Sequence, residues 1–192
     1  MIINNYNLSH TRLYEQEYHE PDNQFSDKFI LKYNIIGILT KAIHYDENNK
    51  SFQKIKYYYK GKKRIKSVCF NDGKLFMTTK YIYKDGSYVI DKIMNYDSHN
   101  FNYAYSIMKY ENKRWIGYEQ YLEETKKTDN YIFVYDDDNR IIETIKNGKV
   151  FSTRKYNEKG QLILIIMTDG LKIKFKWEKK KSKHDINQYL LY

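Results

Sequence analysis

The sequence predicts an all-β protein, a continuous antiparallel up-and-down meander of roughly 11 to 14 strands, on three observations. First, two-residue hairpin signals recur at Asp72-Gly73, Asp85-Gly86, Asn147-Gly148, Lys159-Gly160 and Asp169-Gly170. A type I′ turn needs φ > 0 at both central residues, and Gly carries no Cβ penalty there. Second, polar breaks lie between them at Asn48-Asn49, Gly61-Lys62, Ser98-His99-Asn100, Glu111-Asn112-Lys113, Asp129-Asn130 and Asp137-Asp138-Asn139. Successive breaks fall roughly 10 to 17 residues apart, the length of one strand plus one turn. Third, 22 of 192 residues are Tyr, interspersed with Ile, Val, Phe and Lys. A Tyr ring covers a pleated surface while its hydroxyl reaches water, so the sheet faces should be half buried. Sequential turns without long crossovers favour an open twisted or partly rolled sheet over a sandwich.

Residues 1–27 carry the only Pro, Pro21, and no hairpin signal, and are expected to form an N-terminal arm or edge segment. Leu8 to Tyr18 suits either a short helix capped by Ser9 or an edge strand. Residues 28–192 form a single β-meander domain. Phe29-Ile30-Leu31 opens the strand pattern; Ile35 to Tyr45 and Phe52 to Tyr59 continue it. The apolar run Leu162-Ile163-Leu164-Ile165-Ile166-Met167 is expected to be a central strand covered on both faces. Next, Leu171, Ile173, Phe175 and Trp177 alternate with Lys172, Lys174 and Lys176. A period of two sends the apolar side chains to one face and the ammonium groups to the other. Asp185 to Tyr192 fits a last strand or a helical turn.

The formal net charge is +10, a balance that suits nucleic acid, an anionic surface or an acidic protein. Cys69 is the only cysteine, so neither an internal disulfide nor a thiolate zinc site is expected. No apolar leader follows Met1, and no segment approaches the roughly 18 apolar residues of a membrane helix. The expected location is cytoplasmic. The histidines (His10, His19, His44, His99, His184) make no metal-type pair. Asp136-Asp137-Asp138-Asn139 lacks the Gly and Glu of a calcium loop and reads as a hairpin turn. No nucleophile elbow or phosphate-cradling loop appears, so the expectation is a protein without catalysis, cofactor or metal.

A looser repeat runs through the chain. Tyr135-Asp136 through Ile142 is followed 21 residues later by Tyr156-Asn157 through Ile163, and again by Trp177. Looser copies start at Tyr45, Tyr59, Tyr83 and Tyr110, while Tyr96-Asp97 falls off register. This pattern resembles the tyrosine–aspartate (YD) repeats of bacterial Rhs-type polymorphic toxins. It is also similar to the repeats of small MORN-related, antitoxin-like proteins. The resemblance implies a β-meander of toxin–immunity loci with no active site of its own. A chain of this length does not build the closed toxin shell of a full Rhs protein.

Two partner readings follow. The first is an immunity or antitoxin-type protein that neutralises a cognate toxin by occluding an acidic surface, through electrostatic steering and exposed aromatic contacts. The alternative is nucleic-acid or anionic-surface binding through Lys60 to Lys66 and Lys172 to Lys183, where Phe175 and Trp177 would stack bases. Against it, alternation turns those rings away from the lysines of their own strand. The residues expected to carry recognition are Lys172, Lys174, Lys176, Arg64, Lys66, Tyr57, Tyr59 and Trp115.

Overall fold

The structure is a computed structural model that describes residues 11–34 and 36–179. Those residues are an unbroken succession of strands. They begin with β1 (Thr11–His19), β2 (Phe25–Tyr33), β3 (Leu39–Tyr45), β4 (Ser51–Lys60) and β5 (Lys63–Asn71). Then come β6 (Lys74–Tyr83), β7 (Ile90–Asp97), β8 (Asn102–Glu111), β9 (Arg114–Leu122) and β10 (Lys127–Tyr135). The wall ends with β11 (Ile141–Lys146), β12 (Lys149–Tyr156), β13 (Leu162–Met167) and β14 (Lys172–Lys179). Each strand pairs antiparallel with its sequence neighbours, as the turn spacing requires.

The sheet is not open. β1 pairs with β14 and closes a barrel, with Gln16 opposite Phe175, Glu17 opposite Lys174 and Tyr18 opposite Ile173. Closure removes both edges, which an open meander would leave as unpaired N–H and C=O rows. The segment around residues 11–27 is therefore wall rather than arm, bonded on both sides as β1 and the start of β2. The expectations for Ser9 and for the tail from Asp185 to Tyr192 lie outside the described residues.

The repeat has a physical basis at one rim. Every even-numbered strand ends in an aromatic donor that bonds a carbonyl at the start of the strand before it. Tyr59 Oη donates to Leu39 O at 2.7 Å, Tyr83 to Arg64 O at 2.9 Å and Tyr110 to Ile90 O at 2.9 Å. Tyr156 donates to Ile141 O at 2.8 Å, and Trp177 Nε1 to Leu162 O at 2.9 Å. Tyr33 and Tyr135 do the same to Leu13 O and Trp115 O. Each of these tyrosines sits at a shift of register with the next strand, as at Tyr58/Tyr59 and Val134/Tyr135. A bulge bends the strand and re-aims one side chain, a common device at barrel rims.

The Asx residue after such a Tyr caps the loop. Asn157 Oδ1 accepts the N–H groups of Lys159 and Gln161, and Asp136 Oδ1 accepts that of Arg140. Asp46 and Asp97 cap their loops in the same way. Those two follow Tyr45 and Tyr96 at the ends of odd strands, so the off-register copies belong to the opposite rim. Tyr156→Phe deletes one rim bond and strands a carbonyl. It is expected to cost about 1 kcal/mol, read as a lower urea midpoint with unchanged slope.

The core lies inside the barrel. Leu13, Leu31, Ala42, Leu162, Ile165, Ile173 and Phe175 form its apolar cluster, with Tyr33, Tyr57, Tyr156 and Trp177 packed against it. β13 corrects one expectation. Leu162 and Ile165 are buried, but Ile163 is 37% exposed, because a barrel wall has solvent on its outer face and no strand is central.

Candidate functional site

The expected recognition residues do not share a face. Tyr57, Arg64 and Trp115 line the barrel lumen, and Tyr59 hydrogen-bonds Leu39 at the rim. Lys66, Lys172, Lys174 and Lys176 point outward. The middle Tyr of Tyr57-Tyr58-Tyr59 faces out, as alternation demands, with the Lys66 ammonium 5.8 Å from its ring centroid.

The β14 lysines are also partly spoken for. Lys176 Nζ lies 2.6 Å from Glu15 Oε1 and 2.6 Å from Glu17 Oε1 across the closing seam. Hydrogen bonds to Glu15 and then Glu17 hold its ammonium well above the ordinary lysine range. Lys172 Nζ donates to Asn23 Oδ1 at 2.6 Å and to Pro21 O at 3.3 Å. The ladder thus acts largely as a closure device, its charges facing the Glu15-x-Glu17 alternation of β1. That complementary spacing was the one sequence signal for closure.

A different outward cluster lacks such partners. Lys32 pairs in register with Lys41, and Lys41 with Lys56, so three ammonium groups form a row across β2, β3 and β4. Among the described residues no carboxylate forms an ion pair with these three or with nearby Lys54. Burial, followed by repulsion from Lys54, Lys32 and Lys56, pulls the Lys41 ammonium below its ordinary range. Like charges directly opposite in a sheet are destabilising. Beside the row, Ile43, Phe52, Lys54, Lys56 and Phe70 line a groove of about 370 Å³ that Asp72 also reaches. Sequence reading missed this cluster because its lysines lie on three different strands, and only the register brings them together.

Inside, the barrel encloses a cavity of about 440 Å³. Its lining mixes apolar side chains, among them Phe29, Leu31, Leu39, Ala42, Ile55 and Ile93, with polar ones, among them Arg64, Ser67, Thr79, Asn95, Trp115 and Gln120. Burial pushes Tyr18 up to about 12, with a further push from Asp27, and raises Tyr57 and Tyr118 as well. Such shifts mark a low-dielectric interior. Cys69, in β5, lines this cavity as a buried thiol whose pKa burial raises.

His44 makes a close contact with a carboxylate: its Nε2 lies 2.7 Å from Asp27 Oδ1, with its ring stacked on Phe29 at 3.9 Å. Ser26 Oγ donates to the other oxygen of that carboxylate at 3.0 Å, so its hydroxyl bonds the acid rather than the imidazole. The geometry is not that of a nucleophile on its base. At the Asp136 loop, Arg140 bonds Asp136 Oδ2 at 2.7 Å and Asp138 Oδ2 at 2.8 Å, consistent with a hairpin turn.

No protein-family model and no curated protein matches the chain. Among solved structures it is similar to a porin-like protein from Bacteroides uniformis, at 10% identity and a TM-score of 0.50. That match covers 86% of this chain and 98% of the other, and it shows a shared fold alone. TarM of S. aureus matches 52% of this chain with 20% of its own length, at 16% identity and a TM-score of 0.26. A Photorhabdus luminescens Tc holotoxin pore matches 76% of this chain with 12% of its own length, at 10% identity and a TM-score of 0.23.

Proposed function

We propose that this chain is a non-catalytic binding protein of the immunity or antitoxin type, which covers an acidic surface on a cognate toxin with the outer face of β2 to β5. The observation that carries it is the unpaired row Lys32, Lys41 and Lys56 with Lys54 beside it. Repulsion within the row works against folding and is relieved when an anionic partner docks. The toxin–immunity setting rests on the Tyr–Asx repeat and its resemblance to YD and MORN-like repeats.

The outer wall argues for water rather than lipid around the barrel. A bilayer-spanning barrel turns apolar residues outward and polar ones inward. Here Lys41, Lys54, Lys56, Lys66, Lys80 and Lys92 project from mid-strand among the exposed Ile65, Ile82, Ile107 and Ile132, while buried Leu13, Ile165 and Phe175 are accompanied by buried Ser67, Thr79, Ser106 and Ser152; the lysines decide against lipid. Each outward Lys at a bilayer midplane would cost about 2–4 kcal/mol. No described helix is long and apolar enough to cross a membrane, which says nothing of a barrel. A cytoplasmic address fits this wall.

A nucleic-acid reading has one observation in its favour: outward lysines and aromatic rings share strands β4 to β8. Lys92 lies 4.0 Å from the Tyr105 centroid, Lys80 4.4 Å from Tyr96 and Lys56 5.4 Å from Phe70. The ammonium groups occupy ring faces that bases would need for stacking, so the protein partner is favoured.

Lys41→Glu separates the readings. It sets a carboxylate between Lys32 and Lys56, so stability should rise by about 0.5–1 kcal/mol in urea melts. Association with the product of the neighbouring gene, captured by co-purification, should slow about tenfold at low salt. Unchanged association across salt concentrations would move the binding face elsewhere. If the chain purifies alone and instead binds single-stranded DNA, with log affinity falling linearly in log salt, the alternative holds.

A further inference from the structure

We infer that the barrel lumen is a binding site for a small amphipathic anion, a single carboxylate-like head on an apolar body, with its head at Arg64. The inference does not depend on the outer lysine face. It starts from hydrogen-bond accounting in the cavity. Ser67 Oγ lies 3.4 Å from Tyr81 Oη, and Thr79 Oγ1 donates to Asn95 Oδ1 at 2.9 Å, so much of the polar lining satisfies itself.

Two of the remaining donors stand out beside the amides of Gln16 and Gln120 and the hydroxyl of Ser106. Arg64 Nε donates to Tyr59 Oη at 3.3 Å, and its guanidinium lies 4.5 Å from the Tyr57 ring centroid. Among the described residues no carboxylate pairs with it. A guanidinium carries five N–H donors, and these contacts engage its charge only through ring faces and one phenol. Trp115 Nε1 is the second: it is buried and, among the described residues, has no hydrogen-bond partner. Both residues line the same cavity. A buried unmatched donor is costly and a buried unpaired charge more so. An oxyanion at Arg64 neutralises the guanidinium, and an acceptor of the same ligand that reaches the β9 wall satisfies the indole.

The rest of the ligand follows from the apolar part of the lining. Phe29, Leu31, Leu39 and Ala42 lie together on β2 and β3 and, with Ile55 on β4, suit an alkyl chain or a fused ring. At about 440 Å³ the space falls within the usual range for small-molecule sites. Tyr18 and Tyr57 line the same cavity and are pushed upward by burial, and charge pairing strengthens where burial lowers the dielectric. Arg64 is also well anchored: its own carbonyl accepts from Tyr83, and its phenol partner Tyr59 is bonded to Leu39.

The test is calorimetric titration of the full chain with decanoate, decyl phosphate and 1-decanol, all below their aggregation concentrations. Saturable one-to-one decanoate binding is expected, at least about tenfold tighter than decanol. Decyl phosphate separates carboxylate from phosphate as the preferred head. Arg64→Gln should lose about tenfold or more toward decanoate while leaving decanol unchanged. Lys41→Glu should leave all three affinities unaltered. The inference fails if neither anion binds saturably, if decanol matches the better anion, or if Arg64→Gln binds like the parent. Should Arg64→Gln not fold, the ratio of anion to decanol affinity in the parent protein decides the matter alone.

Discussion

Ile165→Ala is expected to destabilise the barrel by about 2–5 kcal/mol, whereas Ile163→Ala, two residues away, should cost less than about 1 kcal/mol. The two sites share chemistry, strand and propensity; regular alternation would put them on one face, but Ile163 is the extra residue of a bulge between Leu162, opposite Tyr156, and Leu164, opposite Lys155, so the difference isolates the face. Ile165 is 1% exposed, paired in register with Arg154 on one side and Ile173 on the other, within the core cluster. Its truncation opens a cavity whose walls belong to hydrogen-bonded strands that cannot easily collapse. Ile163 is 37% exposed on the outer wall, where water replaces the lost methyl groups. Urea denaturation of both variants reads the contrast. Equal losses would mean that the outer wall is covered by something other than solvent.

That contrast marks where the sequence was legible. A period of two identifies which residues alternate, and the Leu171 to Trp177 stretch resolved into Ile173 and Phe175 inward with Lys174 outward. In the run from Leu162 to Met167 every residue is apolar and a bulge at Ile163 breaks the alternation, so the sequence does not tell that Leu162 and Ile165, three apart, are the buried ones. Turns were readable where backbone chemistry dominates. Asp72-Gly73 and Asn147-Gly148 are two-residue links with φ > 0 at all four positions. Lys159-Gly160 and Asp169-Gly170 instead lie in longer loops, opened by Asn157 and Met167. Asp129-Asn130 reads as a break but continues β10, because Lys146 and Asn147 satisfy Asp129 and Lys109 reaches Asn130. The true turn is Glu123 to Lys126, without Gly or Asn.

Closure was the least legible feature. It depends on β1 meeting β14, a pairing of residues far apart in sequence that no local pattern dictates. It also decides the candidate sites. In an open sheet Arg64, Tyr57 and Trp115 would lie on an accessible face of the sheet. In the barrel they look inward on a cavity, and the outward charge falls to lysines on different strands. A one-strand reading cannot make that division, because inside and outside are defined only by the curvature of the whole sheet.

Gly117→Ala is expected to be as damaging as any single core truncation, on the order of 3–5 kcal/mol, although it adds one carbon. Gly117 lies in β9 at φ +154°, with its strand paired to β10 through Tyr118 opposite Tyr131 and Gly117 opposite Ile132. A Cβ there would sit 2.0 Å from the carbonyl oxygen of Tyr131 and 3.0 Å from its carbonyl carbon. Those atoms are backbone of the neighbouring strand, so relief requires parting β9 from β10 rather than turning a side chain. Parting them also disturbs the stack of Tyr118 on Tyr131, whose centroids are 4.4 Å apart. Gly73→Ala is the control: its Cβ would meet nothing within 4 Å, and only the left-handed backbone at φ +81° penalises it. That penalty is about 1–2 kcal/mol. Denaturant midpoints for the two variants should differ accordingly. If Gly117→Ala is no worse than Gly73→Ala, β9 and β10 are not packed as closely as this register requires, and the lumen wall that Trp115 and Tyr118 supply must be drawn differently.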